Sequence, residues 1–294
     1  MAVKIQTIKD IRLLLSQEIN DIFPPEEIWA MSNIITRDVL GISDIERLRD
    51  PFRLLSEKEI VTVQNIVGEL KTGKPIQYII GEAPFYGLSF KVTPDTLIPR
   101  QETEELVRLI ITENENFKGD ILDIGTGTGC IAISLSVNLQ KANVSASDFS
   151  QGALEVAQTN AQKNNAKVNF IHDDILNTSI TGSFDIIVSN PPYVLESEKR
   201  LMSINVVDFE PPTALYVPDD VPLLFYEKIA DFASEHLKDR GKLYFEINES
   251  FGPQMAEMMI AKGFKNVRII KDINGKDRFA EGEAITNLNT EHVG

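Results

Sequence analysis

Apolar and polar positions recur with two different periods along the chain, and the change of period divides it. In the first part the spacing is helical: Ile5, Ile8, Ile11, Leu14, Leu15 and Ile19 fall on one face. Pro24-Pro25-Glu26-Glu27 opens a second helix with proline and acid in its first turn, running towards Leu40 before Gly41. Ser43 and Ser56 are suited to cap a short and a longer helix, the second with Glu59 completing a capping box. Trp29 is expected to pack this small bundle. Gly73-Lys74-Pro75 ends the helical texture. Tyr78-Ile79-Ile80-Gly81 and then Phe85 to Val92 alternate and turn, which predicts a short hairpin joining two domains.

Beyond a helix entered through Leu97-Ile98-Pro99-Arg100, strand and helix patterns alternate. Strands are predicted over 120–124, 143–147, 168–171, 184–189 and 242–247, and helices from 129 and over 151–163, 223–237 and 253–262. Asn274-Gly275 between 267–271 and 277–281 is a strong hairpin signal. Alternating elements imply an α/β fold, with a mostly parallel sheet covered on both faces and an antiparallel hairpin at one edge. The expected organisation is a helical domain over 1–72, a hairpin linker over 73–100 and a larger domain over 101–294, with a polar tail after Gly282 that frays.

The 294 residues carry a formal net charge of −15 and a pI near 4.7. That balance argues against broad, sequence-independent binding to nucleic acid, which needs a basic footprint, and fits a basic macromolecular partner. A single cysteine, Cys130, precludes an internal disulfide and suggests a cytoplasmic protein. The first twenty or so residues lack the apolar core of a signal peptide, and no apolar run approaches a membrane span.

Two stretches carry chemistry. The first is Asp123-Ile124-Gly125-Thr126-Gly127-Thr128-Gly129-Cys130, a strand end, an acid and a glycine turn leading into a helix. It fits the dinucleotide fingerprint poorly and is not a P-loop, because no Lys-Ser/Thr follows. Asp148, at the end of the next strand, is placed to accept from both hydroxyls of a ribose. Asp123 would repel a pyrophosphate and suits an amine-bearing cofactor. With Asp173-Asp174-Ile175 after the third strand, where Asp174 would bracket an adenine and Ile175 pack on its face, these residues point to S-adenosyl-L-methionine. A capped turn is the plain alternative for Asp173 and Asp174. Cys130 has no histidine nearby to act as a base, and a small buried apolar role fits it better than a nucleophile.

The second stretch is Ser189-Asn190-Pro191-Pro192-Tyr193, which leaves an apolar strand. Two prolines keep the backbone extended and stiff. The Asn190 oxygen and the Pro191 carbonyl accept, and Tyr193 offers an aromatic face, so the loop can hold a planar group that bears an NH2. A strand followed by a Pro-Pro turn is the structural alternative. Arg100 lies either beside this site or at a solvated helix start.

These residues resemble class I S-adenosylmethionine-dependent methyltransferases of the amino-methylating kind. Gln77-Tyr78-Ile79-Ile80-Gly81, Phe85-Tyr86-Gly87, Leu97-Ile98-Pro99-Arg100, Glu210-Pro211-Pro212-Thr213-Ala214-Leu215 and Asp277-Arg278 narrow the resemblance to the bacterial peptide chain release factor glutamine methyltransferase family (PrmC/HemK). It covers nearly the whole chain. One departure is Gln101, where that family usually carries proline; the loop entering the helix is expected to be less rigid. The resemblance implies a seven-stranded, Rossmann-like sheet behind an N-terminal helical domain that recognises substrate. It also implies methyl transfer from S-adenosyl-L-methionine to the side-chain amide nitrogen of the glutamine in the Gly-Gly-Gln motif of class I release factors. Gly125, Thr126, Gly127, Thr128, Gly129, Asp148, Asp174, Ile175 and Asn190 would then hold the cofactor. Asn190, Pro191, Pro192, Tyr193 and Arg100 would hold the substrate, with Asn190, Pro191 and Tyr193 catalytic and no metal. Two rivals stay open: methylation of an adenine or guanine amine by the same loop, against which the acidic charge counts, and a cofactor-binding protein without turnover.

Overall fold

The computed structural model describes residues 5–285. They form two compact units, residues 5–81 with 203–209, and residues 82–202 with 210–285. Residues 286–294, most of the tail expected to fray, lie outside the described residues.

Over residues 5–81 of the first unit five helices follow one another: α1 (Ile8–Glu18), α2 (Pro25–Ile34), α3 (Asp44–Arg49), α4 (Glu57–Leu70) and α5 (Ile76–Ile80), and its residues 203–209 add a single turn, Ile204–Val207. α2 continues as a wider π turn over Ile35–Val39. Ile11, Leu15, Ile19, Ile35, Val63 and Leu70 are fully enclosed in one apolar cluster. The predicted caps form: the Ser43 hydroxyl accepts from the Glu46 N–H, and Ser56 and Glu59 make a reciprocal capping box. Trp29 does not pack the bundle. It is half exposed, because α2 buries the face that carries Ile28, Met31 and Ser32, and Trp29 stands one step round the helix from it. The residues expected to begin the hairpin are instead α5, which packs into this cluster through Ile76. The first unit therefore runs on past residue 72 to Gly81, whose left-handed backbone (φ 77°) ends α5.

The second unit starts with the hairpin β1 (Glu82–Phe85) and β2 (Leu88–Lys91), whose Phe85 and Phe90 rings meet edge to face. Then come α6 (Gln101–Glu113), β3 (Asp120–Ile124), α7 (Cys130–Asn138), β4 (Asn143–Asp148), α8 (Gln151–Lys163), β5 (Val168–His172) and β6 (Phe184–Ser189). The two-residue strands β7 (Val194–Leu195) and β8 (Tyr216–Val217) pair with each other. α9 (Leu224–His236), β9 (Leu237–Glu246), α10 (Gly252–Ala261), β10 (Lys265–Lys271) and β11 (Asp277–Glu283) complete the unit. The main sheet has seven strands in the order β10-β11-β9-β6-β3-β4-β5, parallel except at β11. β9 begins before the predicted residue 242, because Leu237 already pairs with Phe184 and a register shift absorbs the polar Lys238-Asp239-Arg240-Gly241.

Side chains alternate between the two faces, as pleating requires. Leu122, Ile124, Ile187, Leu243 and Phe245 pack with Tyr226 of α9 and Met255 of α10. Ile121, Ile186, Val188 and Tyr244 pack with Leu106 of α6 and Ile131 of α7. Both faces are covered, so function is confined to the strand ends.

Candidate active site

Strand register brings the candidate residues together. Ser147 of β4 pairs with Ile124 of β3, Ile124 with Ser189 of β6, and Ser189 with Phe245 of β9. The next residues along these four segments are Asp148, Gly125, Asn190 and Glu246, all at the carboxyl end of the sheet. A cavity of about 420 Å³ opens there. Gly125, Thr126, Gly127, Thr128, Asp148, Asp174, Ile175, Asn190, Pro191, Pro192 and Arg100 all line it. A smaller cavity of about 120 Å³ shares Leu97, Arg100, Asn190, Pro191 and Ala214 with it and has Tyr193 in its wall.

Gly129 lines neither cavity. A Cβ there would lie 2.8 Å from Ile133 Cδ1 and 3.2 Å from Ala157 Cβ, so this glycine serves the close approach of α7 and α8. Gly125 and Gly127 differ: both have positive φ, and a Cβ on either meets no protein atom within 4 Å. Glycine there leaves the backbone open to a ligand. Asp123 also departs from expectation. Its carboxyl is fully enclosed, accepting from the Thr126 hydroxyl at 2.6 Å and the Ala132 N–H at 3.2 Å, so it ties the glycine loop to α7 rather than meeting a cofactor. Burial pushes it up to about 7.

Asp148 is buried but reaches the cavity wall. Its two oxygens accept from the Gly127 N–H at 2.8 Å and the Ser150 N–H at 2.9 Å. A carboxylate has about four lone-pair sites, so acceptors remain for hydroxyls in the cavity. Burial raises its pKa above the ordinary carboxylate range. Asp174 both lines the cavity and caps the short turn Ile175–Asn177 through the Leu176 N–H. Asp173 accepts from the Ser179 N–H and hydroxyl. Cys130 is buried and its thiol is pushed up to about 12, which leaves no thiolate for nucleophilic attack.

Among the described residues that line the larger cavity, Asp95, Asp148, Asp173 and Asp174 are acidic and Arg100 is the one lysine or arginine. Arg100 is committed to buried Glu210 at 2.5 Å, and Glu210 also accepts from the Ile98 N–H. An acidic wall with no cation to spare fits a sulfonium and ammonium ligand and opposes a phosphate. No group of three or more His, Cys, Asp or Glu among the described residues is placed to hold a metal ion.

Sequence reasoning missed the partners of the Asn-Pro-Pro-Tyr loop. The Asn190 amide nitrogen lies 3.2 Å from the Thr103 hydroxyl, which lies 2.6 Å from Glu246 Oε2; the Tyr193 hydroxyl donates to Glu246 Oε1 at 3.2 Å. Thr103 and Glu246 are 143 residues apart, and only the topology joins them. The polar Thr103 on the apolar stripe of α6 and the acid ending an apolar strand at Glu246 were the available signals.

The chain is 47% identical over 270 residues to the release factor glutamine methyltransferase of Bacteroides thetaiotaomicron, spanning 91% of this chain and 97% of the relative. The chain belongs to this family. The enzyme of the same name from Flavobacterium psychrophilum is 45% identical, over 92% of this chain and 97% of its own. Residues 26–81 match the PrmC N-terminal domain family, and residues 102–207 the Methyltransferase small domain family. A methyltransferase structure from Pyrococcus furiosus superimposes with a TM-score of 0.52 at 19% identity, covering 76% of this chain and 99% of that one, which shows the shared fold. A family member takes its methyl group from S-adenosyl-L-methionine, the donor that the acidic cavity and its open glycines fit.

Asp148→Ala should weaken S-adenosyl-L-methionine binding, since each charge-assisted hydrogen bond to a hydroxyl is worth roughly 1.5–3 kcal/mol. Calorimetry that returns the wild-type affinity would remove Asp148 from the site.

Proposed function

We propose that the enzyme methylates the side-chain amide nitrogen of the glutamine in the Gly-Gly-Gln motif of class I peptide chain release factors. The observation that carries this reading is the position of Asn190 and Pro191 in the walls of both cavities, where the larger suits the methyl donor and the smaller is of a size to take a slender side chain. The names of the relatives support the same substrate.

S-adenosyl-L-methionine supplies a methyl group already activated as a sulfonium. The residues of this chain solve the other half of the problem, because an amide nitrogen is a poor nucleophile whose lone pair is delocalised into its carbonyl. The Asn190 side-chain oxygen and the Pro191 carbonyl each accept one N–H of the substrate amide. This fixes the nitrogen for in-line attack and favours the positive charge that grows on it. Arg100, with its charge answered by Glu210, and half-buried Tyr193 shape the smaller cavity. No charged base is needed, since the proton leaves after transfer.

The cofactor and acceptor residues lie in the second unit, and the role of the first is recognition of the protein substrate. This helical unit, taken from sequence as residues 1–72, exposes Ile45, Leu48, Phe52 and Leu54 within ten residues, each more than 60% accessible. Apolar side chains clustered at the surface mark interaction sites. The partner fits a cytoplasmic translation factor rather than a membrane or a stably bound nucleic acid. Among the described residues no helix is long and apolar enough to cross a membrane. Leu48→Ser with Phe52→Ser should raise KM for an intact release factor about tenfold or more and leave cofactor affinity unchanged. A wild-type KM would reject this role.

Asn190→Ala tests the central assignment. Loss of one preorganised transition-state contact costs about 100- to 1000-fold in rate. Turnover on a release factor at saturating cofactor should fall by that factor while the melting temperature moves little. Near-normal turnover would show that the loop does not hold the reacting amide.

A further inference from the structure

We propose that Thr103 and Glu246 are positioning residues that lock the rotation of the Asn190 side chain, so that its oxygen and not its NH2 faces the substrate. The proposal rests on the reading that Asn190 accepts from the substrate amide. It explains what that reading needs: an asparagine turned by half a rotation would meet the substrate NH2 with its own NH2, donor against donor.

The lock follows from counting protons. Thr103 and Glu246 are 3% and 1% exposed; Thr103 borders the larger cavity, whereas Glu246 does not. An ionised carboxylate can only accept. The single hydroxyl proton of Thr103 is therefore drawn to Glu246 Oε2, at 2.6 Å. With its proton spent, the Thr103 oxygen can only accept, and the group facing it at 3.2 Å must be the Asn190 NH2. The second Glu246 oxygen takes the Tyr193 hydroxyl proton. One carboxylate thus sets the direction of the hydrogen bonds at both ends of the Asn-Pro-Pro-Tyr loop. The neighbouring strand ends, Ser189 paired with Phe245, hold loop and carboxylate at a fixed separation.

The charge of Glu246 is what gives the chain its direction. Burial pushes its carboxyl up to about 6, with Glu102 of α6 adding to the rise, while the Thr103 and Tyr193 hydroxyls and Arg278 of β11 oppose it; Tyr226 of α9 faces the same cluster. At neutral pH it is ionised and the lock holds. Once protonated it can donate to Thr103, whose own proton is then free to turn towards Asn190, and the amide can rotate.

The test compares Thr103→Val, which keeps the shape and removes the hydroxyl, with Thr103→Ser, which keeps the hydroxyl. Turnover is measured on a release factor at saturating S-adenosyl-L-methionine, with cofactor affinity by calorimetry and melting temperature alongside. Loss of orientation without loss of the side chain should lower kcat about 10- to 100-fold in Thr103→Val. Thr103→Ser should stay within a few-fold of wild type, and cofactor affinity and melting should hold in both. Wild-type turnover by Thr103→Val would overturn the proposal, and should the valine variant fail to fold, wild-type turnover by Thr103→Ala would do the same. The outcome also separates the two claims. If Asn190→Ala is inactive and Thr103→Val is fully active, only the lock fails; if Asn190→Ala is itself active, the acceptor role of Asn190 fails first.

Discussion

Parallel pairing of β9, β6, β3 and β4 brings Phe245, Ser189, Ile124 and Ser147 level, and everything functional in the second unit hangs on that alignment. One residue later β3 and β6 leave the sheet, while β4 and β9 end on their last paired residue. What the chain places there is Glu246, Asn190, Gly125 and Asp148: a buried carboxylate, an amide, a turn without a side chain, and a second carboxylate at the cavity wall. Both faces of the sheet are packed by helices, and the cavity of about 420 Å³ opens at the strand ends.

The electrostatics of the cavity follow from the same crowding. Asp123, Asp148 and Glu246 are all buried near the strand ends, and burial raises all three. Taking carboxylates out of water is costly, and aimed donors answer both oxygens of Asp148 (Gly127, Ser150) and of Glu246 (Thr103, Tyr193), whereas Thr126 and Ala132 both meet Asp123 Oδ2 and its Oδ1 is buried without a partner. The donors come mostly from the loops that must be held still, so the cost of burying acid is offset by order in the site. The one arginine among the lining residues is answered by Glu210, which leaves the cavity suited to a cationic donor.

Much of this could be read from the chain. Strands at 120–124 and 184–189 were set by apolar runs ending in acid, glycine or proline, and the structure keeps both boundaries. The glycine turn, Asp148 and the Asn-Pro-Pro loop are local in sequence, and local signals survive folding. What was not legible depends on distant partners. Gly129 reads as one more loop glycine until Ile133 and Ala157 are seen beside it, and Asp123 reads as a ligand until its hydrogen bonds to Thr126 and Ala132 are known. Trp29 reads as core because it is large and apolar, yet the buried stripe of α2 passes beside it. The Thr103–Glu246 pair spans 143 residues: each segment marks one polar residue at an apolar position, but neither says that the two meet.

The measurement that tests the account most directly is mass spectrometry of a class I release factor incubated with this protein and isotopically labelled S-adenosyl-L-methionine. The account predicts one labelled methyl group on the side-chain nitrogen of the glutamine in the Gly-Gly-Gln peptide, and none when the Asn190→Ala variant replaces the wild type. A release factor that stays unmodified, or a label found on nucleic acid instead, would contradict it.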